Sequence, residues 1–148
     1  SKVDTYVRGW ESGIVTDEEA AKIICRSKIN LGMGGIGYSE SLTNVKGRDF
    51  DVPACGGGVY ITSFNPDLAP HYHIGEEIVC YRNRDEMLEL IRYYLNHPDE
   101  AREIATAGKI RCLREHRWIH RFVRICQILG ILDDSISPSR LVDFGVNP

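Results

Sequence analysis

The stretch Lys46–Ser63, KGRDFDVPACGGGVYITS, constrains this chain more than any other. Charge at Arg48, Asp49 and Asp51 precedes three glycines, Gly56, Gly57 and Gly58, and then the β-branched and aromatic run Val59–Thr62. Glycine lets the backbone take positive φ and come close to a neighbour. The run behind it has the composition of a short buried strand. A charged helix end, a bare turn and a buried strand make a junction that serves anions and nucleotides in open α/β sheets. The same pattern also ends helices with no ligand involved.

Around this junction the chain alternates. Val3–Val7 reads as a strand. Thr16 and Glu19 form a capping box that opens a helix over Asp17–Ser27, with Ala20, Ala21 and Ile24 turned inward. Lys28–Met33 reads as a second strand, Gly32–Gly37 as a flexible loop, and Asn44–Ala54 as a short helix. After the strand at Val59–Thr62, a helical turn from Asn65 reaches His73 and closes at Gly75, and Glu77–Tyr81 is a fourth strand. Met87, Leu88, Ile91, Tyr94 and Leu95 repeat at helical spacing within Asp85–Asn96. Pro98 restarts a helix at its first turn, running to Glu115, and a last helix covers Trp118–Leu129. Strand and helix in turn predict an α/β fold, a three-layer Rossmann-like domain on a parallel sheet over residues 1–130. Residues 131–148 lack a sustained period and read as a C-terminal tail. Four strands are few for a doubly wound sheet and the chain opens on Ser1, so the expectation is a piece excised from a longer protein.

Composition narrows the class. The 148 residues suffice for one domain burying about two-thirds of its unfolded surface. A net charge of −3 argues against general nucleic-acid binding. Five cysteines, Cys25, Cys55, Cys80, Cys112 and Cys126, lie among apolar neighbours without a C-x-x-C pair, which predicts buried, reduced thiols and no structural zinc. No apolar run approaches the ~18 residues of a membrane span and the opening residues do not have a signal-peptide pattern. The expected compartment is the cytoplasm.

Four groups of residues carry candidate chemistry. Asp51, one turn before the glycines, suits the two hydroxyls of a ribose; its alternative is a solvated helix-end acid. Arg48 and Lys46 suit a diphosphate, because a guanidinium grips phosphate oxygens in a fork; alternatively Arg48 pairs with Asp49 or Asp51. Gly32–Gly37 satisfies G-x-G-x-x-G, but no helix follows at once and no acid stands at Thr62–Ser63, so a dinucleotide site is the weakest reading. Gly34 and Gly35 fit better as a loop over a ligand or, equally, as a plain glycine-rich connection. His71 and His73 are spaced H-x-H, with too few neighbouring ligands for a metal site. Between residues 102 and 124, seven Lys or Arg stand against two acids, among them Arg111, Arg114, Arg117, Arg121 and Arg124. That excess makes a solvated face the default and a protein or anionic membrane contact through Arg111, Arg114, Arg121 and Arg124 the sharper alternative.

With these residues in hand, the chain resembles the C-terminal part of group 1 glycosyltransferases of the spore-maturation CgeB type. GWESG, SKINL, KGRDFDVPACGG, GEEIVCYRN, IRYYLNHPDEAREIA, AGKIR and REHRWIHRF occur in the family's order. The resemblance implies a GT-B architecture, two Rossmann-like domains facing across a cleft, of which this is the donor-binding half. It implies that Asp51 takes the ribose hydroxyls of a nucleotide sugar and that the backbone at Gly56–Gly58 approaches the diphosphate or sugar. It implies a missing N-terminal acceptor domain, no obligatory metal, and no cofactor beyond the nucleotide-sugar substrate. Relatives often carry Glu where Asp51 stands. The first acid of the E-x7-E pair of retaining relatives falls at Thr43 here, which leaves the stereochemical outcome unassigned. The runner-up reading is a non-catalytic partner-binding module of the same fold; a dinucleotide-dependent oxidoreductase stands third.

Overall fold

A computed structural model describes residues 13–36 and 39–138. The Val3–Val7 strand and the tail beyond residue 138 lie outside the described residues. Three parallel strands, β1 (Ile29–Leu31), β4 (Val59–Ser63) and β5 (Val79–Tyr81), form the sheet in the order β1-β4-β5, with Ile29 opposite Val59 and Ile61 opposite Val79. The central strand is buried along Val59–Thr62 because helices cover both of its faces. The domain is α/β and Rossmann-like.

Alternate residues of β4 feed two cores. Val59 and Ile61 pack with Val79, Tyr94, Ala101 and Ile104, residues of α3 (Arg84–Asn96), α4 (Pro98–Arg111) and β5. On the other face Tyr60 packs with Leu68, Tyr72, Ile78 and Cys112, fringed by Phe50, Val52 and Ala54 of α2 (Arg48–Cys55). Helix α4 links the cores. It starts among the first set and hands over to Cys112 in the second, passing the N-terminal ends of the strands where Gly108 lies against the Glu77 carbonyl. A Cβ at Gly108 would collide with that carbonyl, so only glycine permits the crossing.

The capping box of α1 (Asp17–Arg26) forms as expected: Glu19 N–H donates to Thr16 Oγ1 and Thr16 N–H to Glu19 Oε2. Other expectations change. Ala20, Ala21 and Ile24 are only half-buried, because α1 packs beside α2 rather than over the sheet. Gly32–Gly37 is not simply a loop. Gly35–Ile36 (β2) pairs antiparallel with Ser39–Thr43 (β3), a hairpin inserted between β1 and α2. The glycine series therefore leads into a hairpin and not into the helix a dinucleotide fingerprint requires. The helix expected over Asn44–Ala54 starts four residues later, at Arg48, and the one expected to reach Glu115 ends at Arg111. The chain continues there as a wide π turn over Cys112–His116. The cysteines are not uniformly buried either. All five are free, but only Cys112 is buried; Cys25 is exposed, its thiol donating 3.2 Å to the Cys55 carbonyl. Local apolar neighbours in sequence did not translate into depth.

Candidate functional site

Parallel strands direct their C-terminal ends, and the helix that follows each crossover, to one edge of the sheet. Leu31, Ser63 and Tyr81 close the strands there, and the N-terminus of α2 rises beside them. The hairpin is pinned to this edge: Gly34 N–H donates to Ser63 Oγ (2.6 Å) and Tyr81 O–H to the Gly32 carbonyl (2.9 Å). Lys46 adds a third tie, its Nζ donating 2.8 Å to the Gly35 carbonyl. The loop glycines Gly34 and Gly35 and the cation of Lys46 are thus held together.

A single buried carboxylate fixes the start of α2. Asp49 is 2% exposed; its Oδ2 accepts from Lys46 N–H (2.7 Å) and its Oδ1 from the Tyr60 hydroxyl (2.7 Å). Its carbonyl accepts from the Tyr72 hydroxyl at 2.6 Å. That hydroxyl has one proton, so the Cys112 thiol, 2.9 Å away, is the donor in their contact. Burial first, and then the Asp49 bond, push the Tyr60 phenol far above its usual range; burial does the same for Tyr72 and raises the Cys112 thiol. All three stay protonated and serve as fixed donors. Sequence alone does not separate Asp49 from Asp51, because the two differ only in phase on α2. Tyr60, eleven residues on, is what identifies Asp49 as the inward one.

Asp51 is exposed on the outer face of α2 and lines a cleft of about 590 Å³. Val45, Lys46, Gly47, Phe50 and Ala54 share that wall; His71, His116, Arg117, Trp118 and Arg121 stand opposite. Gly47, Phe50, Asp51 and Ala54 are spaced i, i+3, i+4, i+7, one stripe of the helix. The opposite wall depends on the π turn. Arg117 follows it in an extended conformation (φ −67°, ψ 155°) and redirects the chain into α5 (Trp118–Ile128), bringing Trp118 and Arg121 to the cleft. The Arg121 guanidinium lies 4.6 Å over the Phe50 ring. His116 Nε2 is 2.9 Å from the His71 carbonyl, an oxygen that only accepts, so that nitrogen carries the proton. Phe50, His71 and His116 meet ring to ring at 5.2–5.3 Å. Burial, then His116 and Arg121, hold the His71 imidazole below its usual range. The cleft therefore combines the Asp51 carboxylate, the basic side chains of Lys46, Arg117 and Arg121 and a wall of rings.

The expected site residues divide. Lys46 and Asp51 share the cleft; Arg48, at the first turn of α2, is exposed and makes no ion pair among the described residues. Gly56–Gly58 lie at the other end of α2, roughly 12 Å away for eight residues. There Gly57 and Gly58 abut the backbone of Cys25 and of Ser27–Lys28, leaving no room for a Cβ. The basic series also divides. Arg111 is 16% exposed and binds Glu77 (3.0 Å) and Glu115 (2.7 Å); Arg114 also binds Glu115; Arg121 lies in the cleft. Nothing in the spacing of Arg117 and Trp118 marks them as site residues, because the redirection at Arg117 leaves no trace in the sequence pattern. Among the described residues no cluster of His, Cys, Asp and Glu could hold a metal ion, and His71 and His73 are not brought together with further ligands. No described helix is long and apolar enough to cross a membrane.

No curated protein and no solved structure matches the chain. A family model described as glycosyl transferase-like matches residues 2–127, spanning both walls of the cleft and the whole parallel sheet. With the fold and that match together, the chain belongs to the glycosyl transferase-like family.

Proposed function

We propose that this domain holds the nucleotide-sugar donor of a glycosyltransferase, with the cleft between α2 and the π turn as the donor site. The observation that carries the reading is the grouping of Asp51 with Lys46, Arg117 and Arg121 in one cleft of about 590 Å³. A carboxylate accepts from both hydroxyls of a ribose, and neighbouring cations match a diphosphate. The aromatic and imidazole rings offer apolar surface to a base. Arg48 extends the positive rim, and the hairpin carrying Gly34 and Gly35 borders the same end of α2. Gly56–Gly58 act at one remove, by seating α2 against the α1–β1 connection.

In this reading the domain is the C-terminal half of a GT-B enzyme of the CgeB type, transferring a hexose in the cytoplasm to an acceptor held by a second domain. Charge on the departing nucleoside diphosphate is met by Lys46, Arg117 and Arg121, so the chemistry needs no metal. The decisive test is an amide-shift titration with UDP, GDP, dTDP, ADP and NAD. One nucleoside diphosphate is expected to shift residues 46–51 and 116–121, and to do so at least about tenfold more weakly in Asp51→Ala, since charge-assisted hydrogen bonds are lost. A site that responds to none of them, or that is indifferent to Asp51→Ala, overturns the proposal.

A further inference from the structure

Helix α5 has three faces. Val123 is buried and Ile119 and Cys126 are half-buried, spaced i, i+4, i+7, and they fasten the helix to the body. A second stripe, Trp118, Phe122, Ile125 and Leu129, faces away from it: these are 69%, 56%, 50% and 66% exposed. The Trp118 and Phe122 rings stack at 6.0 Å, so the ridge begins in a broad aromatic surface. Arg117, Arg121 and Arg124 follow on the third face, and residues 117–128 contain no acid. Ile128, the last residue of α5, lies on the arginine face four residues after Arg124, and Ile131 follows the helix ahead of the exposed acids Asp133 and Asp134.

We infer that this face of α5 docks in the plane of an anionic lipid surface. An apolar ridge with Trp and Phe, flanked by arginines and free of acid, is the pattern of a helix whose rings enter the acyl boundary while guanidinium groups reach the headgroups. The ridge is convex and one helix wide, which suits a deformable bilayer. A second copy is a poor occupant, because two ridges packed together would bring six arginines close with no acid from either helix. The chain as a whole carries −3, so attraction to negative lipid must come from local cations, and α5 supplies Arg124 with Arg117 at its start, both exposed. This surface is narrower than the arginine series suggests: Arg111 and Arg114 are engaged by Glu77 and Glu115, and the Arg121 guanidinium rests over Phe50 in the cleft, so Arg124 and the cleft-rim Arg117 are the cations left to it.

Co-sedimentation of the full chain with vesicles tests the inference directly. Phosphatidylcholine vesicles with about one-third phosphatidylglycerol are expected to bind it at least tenfold better than pure phosphatidylcholine, the difference shrinking at high salt. Phe122→Asp with Ile125→Asp is expected to abolish binding, and Arg124→Glu to weaken it roughly tenfold. Both residue sets are exposed, and circular dichroism checks that the variants fold. Equal binding by the ridge variant, or no preference for anionic vesicles, overturns the inference. So does a dimer that the ridge variant dissociates while vesicles fail to bind, which would assign the ridge to a second copy.

Discussion

The phenol of Tyr60 reaches from the central strand to the first turn of α2 and donates a 2.7 Å hydrogen bond to the buried carboxylate of Asp49. One bond thereby ties the middle of the sheet to the helix whose outer face carries Asp51. Removing the donor leaves a buried charge with one partner fewer, which costs more than a neutral hydrogen bond. Tyr60→Phe is expected to lower stability by about 2 kcal/mol, read as a reduced urea midpoint with an unchanged slope. Asp49→Ala is expected to lose more, about 3 kcal/mol, because it also frees Lys46 N–H at the helix start.

Alkaline pH probes the same pair of tyrosines. Their phenols titrate above the unfolded value in the native state, so below about pH 10 both states hold the proton and the stabilisation is complete. Above that value the unfolded chain releases protons that the native state retains, and stability falls. Each tyrosine adds a loss of about 1.4 kcal/mol per pH unit. The stability of Tyr72→Phe should decline less steeply above pH 10 than that of the native chain. Identical slopes would show that the buried phenols do not govern alkaline unfolding.

The acid side is set in part by His71. Its folded-state pKa is depressed, so as pH drops below about 6.5 the unfolded chain takes up a proton before the native state does. Stability should decline through that window and level off once the native imidazole is itself protonated. Imidazole shifts followed by NMR are expected to give His71 a midpoint below 6.5, and His71→Gln should flatten the decline. A midpoint at or above 6.5 would contradict the depression that burial, His116 and Arg121 impose on His71.

Two glycines of the α2 region give opposite predictions. A Cβ on Gly58 meets the Ser27–Lys28 backbone, which cannot yield as a side chain does. Gly58→Ala should cost about 3 kcal/mol. Gly47 has helical dihedrals (φ −50°, ψ −41°) and its nearest neighbour, Asp51 Oδ2, is at an ordinary 3.5 Å. Gly47→Ala should leave stability unchanged or raise it by about 0.5 kcal/mol through the unfolded chain. Thermal melts of the two variants suffice to compare them.

Much of the frame was legible. The Thr16–Glu19 box, the stripe Met87–Leu95 and the restart at Pro98 are local signals, and each marks a real helix boundary or face. The strand Val59–Thr62 could be read because it is buried on both faces and therefore apolar throughout. The hairpin was not legible: β2 is two residues long and rich in glycine, and its ties to Ser63 and Lys46 are distant in sequence. The glycine run suits either a ligand surface or a helix end, and the structure seats Gly57 and Gly58 against Cys25 and Ser27–Lys28; sequence shows that a backbone approaches something there, but not what. The far wall of the cleft depends on a π turn and one extended residue, neither of which alters hydrophobic periodicity enough to be seen.

Trp118 belongs to two surfaces at once, lining the cleft opposite Asp51 and heading the exposed ridge of α5. One indole ring cannot be withdrawn onto a cleft ligand and inserted outward in the same instant. Any occupant of one surface that draws on this ring acts as an effector of the other, and thermodynamic linkage makes the influence mutual and equal in size. The affinity of the cleft measured on free protein would then differ from its affinity on a surface-bound protein by the factor through which that ligand shifts surface binding.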